Sequence, residues 1–377
     1  MAAYSDIPAY LRLDEDFGHL GSFRQTRVWS MATGLAEGFA IEIEVALVAI
    51  LSGIAHTMGG MIRTSTTFAS VDPPFSLLVV TPEPDPIWPE VPVRFLTHEF
   101  GVAMRQSLET YLTQKGMEAS TTGENPSDTS LKNAAELAER VWVDGMVERI
   151  ATNSVRFPFP RSLIDSRVLL STPAVGLRRA FRHLEPIQKH QLEMALSTNS
   201  RIIAPDGEKS SGVPAFYWQT ARAALTPLLT ENPWLVSVPF VVVETTKPGL
   251  ANLDTSLPCV TELHRRCHSL FGKRQAAGGR SRSIHTSAKI FLPYSAFLEE
   301  AQASTTGGAH LASLLPPRRV AELGLKLTSV LTVLEGKQQP GELEARLGLE
   351  LAKRLSIRRH QILNASMPAD VVRAAPD

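Results

Sequence analysis

The sequence predicts an α/β protein built on a mainly parallel sheet. Three observations carry this. Residues 75–80, Phe-Ser-Leu-Leu-Val-Val, form a near-continuous apolar run, the pattern of a strand buried on both faces. Residues 235–245 hold another such run around Phe240-Val-Val-Val. Segments of helical length and pattern lie between them, and strands separated in this way need crossover connections and parallel pairing.

In chain order, residues 1–35 read as a polar lead-in with a turn at 18–21. Residues 36–58 suit one helix, because Ile41, Val45, Val48 and Leu51 recur at helical spacing and Gly59-Gly60 ends the pattern. Threonine and β-branched residues predict a short strand at 62–68, before the turn at Asp72-Pro-Pro74. A helix is predicted over 92–115, with Phe95, Val102, Leu108 and Leu112 on one side. A polar loop over 120–130 and a helix over 131–150 follow. Residues 167–171 make a strand, trailed by Arg178, Arg179, Arg182 and His183. Beyond Gly278-Gly279 the pattern gives a short strand at 290–292 and a helix at 295–303. Residues 318–335 then place Val320, Leu323, Leu327, Val330 and Leu334 on one face, and Leu343, Leu347, Leu351 and Leu355 mark a second amphipathic helix.

The chain has 377 residues, 44% apolar and 20% charged, which suits a folded protein and not a disordered one. Its formal net charge is zero, so any nucleic-acid or membrane binding must rest on a local patch. Two cysteines cannot build a disulfide framework, and the opening Met-Ala-Ala-Tyr-Ser-Asp lacks a signal-peptide pattern, so a cytoplasmic location is expected. The most apolar segment, residues 45–55, is too short to cross a bilayer and reads as a buried helix; no membrane partner is expected.

The segment leaving the first apolar strand carries the most chemistry. Strand, loop and helix follow in the order that places a phosphate cradle, G-x-x-x-x-G-K-[ST]. The eight residues there are Thr81, Pro82, Glu83, Pro84, Asp85, Pro86, Ile87 and Trp88. Such a cradle works by pointing backbone N–H groups at phosphates, helped by a lysine and a hydroxyl. Three prolines delete donors, Glu83 and Asp85 repel phosphate, and Ile87 and Trp88 replace the lysine and the hydroxyl residue. A nucleotide cannot be held there in the usual way, and no cofactor is expected.

A wider pattern surrounds this loop: a helix ending in Met-Gly-Gly-Met-Ile-Arg, then Phe-Ser-Leu-Leu-Val-Val. Late in the chain come Lys289-Ile-Phe-Leu-Pro-Tyr-Ser-Ala-Phe-Leu298, a helix containing Arg319-Val-Ala-Glu-Leu-Gly-Leu-Lys-Leu-Thr-Ser-Val-Leu, and a last helix over 344–355. Over residues 30–360 this order resembles the helicase-like P-loop domain found beside primase domains in phage and plasmid replication proteins. The resemblance implies a RecA-like three-layer core over 71–292, with helical additions over 1–70 and 293–377. It does not transfer ATP hydrolysis, because the family's phosphate loop is missing at 81–88.

Other constellations are weighed against plainer readings. Glu244 ends the strand around Val241–Val243, where a P-loop protein puts the carboxylate that orients metal and water, although many strands end in glutamate simply on reaching solvent. Gly207-Glu-Lys-Ser210 has a glutamate inside the motif and reads as a polar loop. Cys259, His264, Cys267 and His268 lie within ten residues but lack the paired spacing of a structural zinc site, so no metal is expected. No G-x-S-x-G elbow or H-E-x-x-H helix is present.

The strongest functional signal is basic. From 265 to 289 stand Arg265, Arg266, Lys273, Arg274, Arg280, Arg282 and Lys289 with no acidic residue, around a Gly-Gly-Arg-Ser-Arg-Ser stretch that should be flexible. Such a run follows a phosphate backbone with salt-dependent, sequence-independent affinity; the plainer reading is a solvated loop balancing acidic surface elsewhere. The sequence therefore predicts a non-hydrolysing P-loop-like binding or scaffold protein of mobile-element DNA replication that touches nucleic acid through 265–289. One rival is an NTPase that has rebuilt its site around Glu244, with Arg280 or Arg282 stabilising charge. Another is a protein-binding module using an exposed apolar face on helices 318–360.

Overall fold

A computed structural model describes residues 7–13, 20–59, 62–82, 168–170, 215–247, 257–276, 282–285, 288–305 and 313–366. The predicted helices at 92–115 and 131–150 lie outside these residues, as do positions 83–88, the arginines at 178–182, Gly207–Ser210 and Arg280.

Two helices stand where one was predicted. Helix α1, Arg27–Phe39, starts at Thr26, whose hydroxyl accepts from the Trp29 amide at 3.3 Å. It ends at Ala40 in the left-handed region, φ 52°, where the Ala40 and Ile41 amides bond back to the Glu37 and Ala36 carbonyls. Helix α2, Ile43–Met58, then departs at 119°. No glycine marks this corner. The supposed lead-in is therefore largely helical, and the corner is held by packing.

A small sheet has the order β2-β1-β7, with β1 Ile62–Ser65, β2 Ser70–Val71 and β7 Arg282–His285. Strands β1 and β2 are antiparallel, while β7 runs parallel to β1, pairing Ile62 with Arg282 and Ser65 with His285. Arg282 and Ser283, predicted to be flexible, are strand residues instead, because β1 offers them a ladder.

The larger sheet is wholly parallel, in the order β4-β5-β3-β6, with β3 Leu77–Thr81, β4 Val168–Leu170, β5 Ala215–Ala221 and β6 Val241–Glu244. This is the α/β arrangement expected. Both faces of β3 and β6 are covered. Leu77, Val79, Val241 and Val243 join the main apolar core with α1 and α2. Leu78, Val80 and Val242 are as deeply buried and alternate to the other side. Helix α3, Arg222–Glu231, packs on β3 and β5 with Leu225, Leu228 and Leu229 buried.

The strand predicted over 235–245 is shorter than its apolar run, because Pro233–Val236 is a 3-10 turn and Pro239 has no amide for a ladder. Residues 290–292 are not a strand either: a 3-10 turn, Ala288–Phe291, leads into α5, Leu292–Thr305. Helix α4, Pro258–Ala276, lies on α1 and α2. Helix α6, Pro317–Leu334, is buried along almost all its length and packs on α7, Glu342–Asn364. The leucines of α6 and α7 face inward except Leu343, 44% exposed, so the described tail lacks the apolar stripe a docking helix pair needs. One continuous core draws on residues before 71, on β3 and β6, and on α5 to α7.

Candidate functional site at the carboxyl edge of the sheet

Register aligns the strand ends: Thr81 is opposite Ala221, and Val80 opposite Glu244. Among the described strands of the larger sheet β3 comes first in sequence, β4 and β5 lie to one side of it and β6 to the other. The crevice beside the carboxyl ends of β3 and β6 is thus a switch point, where open α/β sheets take ligands. Thr81 is fully buried there and Pro82 is exposed just beyond it.

A cavity of about 450 Å³ opens at this edge. Its wall includes Glu42, Glu44, Arg222, Glu244, Thr246 and Arg358. Strand β5 runs directly into α3, so Arg222 is the first helical residue, and its Nη1 lies 3.0 Å from Glu244 Oε1. Glu42, at the start of α2, reaches the residues that follow β6. Its carboxylate accepts from Thr245 Oγ1 at 2.6 Å, from the Thr246 amide at 3.0 Å and from Thr246 Oγ1 at 2.7 Å. Burial alone would raise the Glu42 pKa, but these bonds outweigh it and hold the carboxyl below its ordinary value. Glu44 is bound by Arg354 at 2.8 and 3.1 Å, with Arg358 at 3.5 Å.

The chain's own carboxylates therefore engage the donors and cations at this edge. Glu244, predicted as a metal or water ligand, faces a guanidinium. Among the described residues no group of three or more His, Cys, Asp or Glu could hold a metal ion. Cys259 is set against Gly34 of α1, and Cys267 is buried in the core.

The basic segment divides along its length. On α4, Arg265 makes a bidentate pair with Glu262 at 2.9 and 2.8 Å, and Arg266 Nε donates to the same carboxylate at 2.6 Å. Arg266 also donates to the Leu334 carbonyl at the end of α6, which makes it a structural tie. Gly272 and Lys273 are exposed. Arg274 belongs to α4, Arg282 to β7 and Lys289 to the 3-10 turn before α5. Thus the segment is largely built into elements and not one loop.

Sequence reasoning missed Glu42, Arg222, Thr245 and Thr246. An acid just ahead of an apolar helix and a Thr-Thr pair after a strand carboxylate were the available signals. Both are common, and neither shows which residues meet. No protein-family model matches the chain, and no curated protein matches it in sequence. Among the described residues no single helix is long and apolar enough to cross a membrane.

Proposed function

We propose that the chain is a non-hydrolysing, RecA-like P-loop relative acting as a binding or scaffold protein in mobile-element DNA replication, and that it contacts nucleic acid through residues 265–289. One observation carries the reading: β3 ends at the switch point of a parallel sheet, and the residues that follow it in sequence, Pro-Glu-Pro-Asp-Pro-Ile-Trp, lack the lysine, the hydroxyl and three of the amides that a phosphate cradle needs. Internal pairing of Arg222 with Glu244 and of Thr245 and Thr246 with Glu42 supports it, since these groups engage one another within the chain. Burial of both faces of β3 and β6 fits a three-layer core. Arg265 and Arg266 pair with Glu262, Lys273 is exposed, and Arg280, Arg282 and Lys289 follow it in sequence.

The test is anisotropy of labelled single- and double-stranded oligonucleotides over a salt series, beside thermal shift with ATP and magnesium. Nucleotide should give no shift. Oligonucleotide affinity should fall steeply with salt, and the triple variant Lys273→Gln, Arg280→Gln, Arg282→Gln should flatten the log–log slope by about 0.7–0.9 per lost phosphate contact. A nucleotide-induced rise in melting temperature overturns the first half of the reading. Salt-insensitive or absent oligonucleotide binding overturns the second.

A further inference from the structure

We infer that Thr245 and Thr246 form an anion-binding site, of the kind that takes a phosphate group, which the chain fills with its own Glu42 carboxylate. The inference goes beyond the proposed function and does not depend on the basic segment. Two hydroxyls and an amide converge on one carboxylate and engage both its oxygens: Oε2 takes Thr245, and Oε1 takes the Thr246 amide and hydroxyl. Bonds of this length to an ionised acceptor are the strong, charge-assisted kind. The donors follow the carboxyl end of β6, at the edge where α/β sheets hold anionic ligands.

Glu42 comes from elsewhere in the chain. It occupies the cap position of α2 and makes no side-chain capping bond to its own helix. A residue so placed ordinarily serves the first-turn amides. Here it crosses to a partner 203 positions away. The shared cavity has room for a phosphate group, and Arg222 and Arg358 on its wall balance the carboxylates of Glu244 and Glu44 there. With Glu42 in place that anion is excluded by occupancy and by like charge. With Glu42 gone, the Thr246 amide and hydroxyl remain aimed at the vacated position, while the Thr245 hydroxyl is shared between that position and the Lys247 carbonyl at 3.2 Å.

The experiment uses the full chain and titrates pyrophosphate and inorganic phosphate by calorimetry, with thermal shift alongside. Glu42→Ser removes the carboxylate and keeps a residue suited to capping α2. Glu42→Gln keeps the length and removes only the charge, so the fold is better preserved. The wild type should bind neither probe appreciably. Glu42→Ser should bind pyrophosphate at least about tenfold tighter, the scale of one charge-assisted bond, and Glu42→Gln should gain less. Adding Thr246→Val to either variant should erase the gain. If folded variants bind no better than the wild type, or bind equally well without the Thr246 hydroxyl, Glu42 is only a strut and the inference fails. Oligonucleotide affinity should be the same in all these proteins, so this result and the proposed function stand or fall separately.

Discussion

Lys326 shows how a buried charge is managed in this chain. Its ammonium donates to the Pro74 carbonyl at 2.7 Å and ties α6 to the turn that launches β3. Beside it, Arg63 makes a bidentate pair with Asp72 at 3.0 and 2.8 Å. Burial pulls the Lys326 pKa from 10.5 to about 8, against the opposing charges of Asp72 and Glu322, with Arg319 adding to the fall. The unfolded chain keeps this proton up to about pH 10.5, while the folded chain releases it above about 8. Between those values the unfolded state binds more protons, so the Lys326 contribution makes stability rise with pH. Below the window both states are protonated and the folded state bears the full burial penalty. Tyr10 and Tyr294, whose pKa values burial raises, act in the opposite sense above their ordinary value of 10.0, so the comparison belongs below that pH. Lys326→Met should lose the rise between about pH 8 and pH 9, below the range in which Arg359 and the tyrosines titrate, read as urea midpoints of both proteins. An unchanged rise in the variant would assign it to other groups. The turn Asp72-Pro-Pro74 was legible in the sequence. The lysine that holds it was not, because it reads as one polar position on an amphipathic helix.

At the scale of elements, the sequence misleads where packing and not punctuation decides. The corner between α1 and α2 bends at Ala40, an alanine in a conformation that costs a non-glycine residue about 1–2 kcal/mol. Both helices bury their apolar faces in one core, and Glu42 ties the corner to the end of β6. Strand β5 escaped notice because Ala-Phe-Tyr-Trp-Gln-Thr-Ala lacks the aliphatic run that marks β3 and β6, although it sits directly beside β3. Glycines inside helices have an equally physical reason. A methyl group added at Gly34 would lie 2.9 Å from both Cys259 Cβ and Sγ, so α1 and α4 approach where side chains are smallest. At Gly348 it would lie 2.6 Å from the Gly324 carbonyl oxygen and 2.9 Å from the Thr328 amide, both rigid backbone of α6. Gly348→Ala should therefore destabilise by about 1–3 kcal/mol despite alanine's better helix propensity, because α6 and α7 must separate. Chemical denaturation of the two proteins measures this, and an equal or higher midpoint in the variant would show that the helices can slide apart freely.

For the molecule as a whole, the central strand and the parallel sheet were legible, because each is written in consecutive residues. The site at the carboxyl edge was not. It joins Glu42, Arg222, and Glu244 with Thr246 from three parts of the chain, and only strand order brings them together. The same long-range closure governs stability. The β1–β7 ladder joins the N-terminal part to residues 282–285, and α7 packs on α6, on α5 and on β6. Arg359 of α7, fully buried, donates to the Ser313 and Val236 carbonyls at 2.5 Å and to Val238 at 3.3 Å, and lies over the Phe240 ring. Burial lowers its pKa to about 9, so its charge is held in the interior by carbonyl dipoles and a ring face. Residues 342–366 are therefore expected to complete the core and not to form a removable tail. A chain ending at Gly341 would expose the apolar faces of α6 and β6 and leave three carbonyls without their arginine. It should lose cooperative unfolding altogether, whereas Leu355→Ala, at a fully buried position, should lower stability by about 2–5 kcal/mol and keep the same number of transitions. Scanning calorimetry of the two proteins separates the cases: a truncated chain that still unfolds in one sharp transition near the wild-type temperature would show that the helices beyond residue 341 are an independent addition.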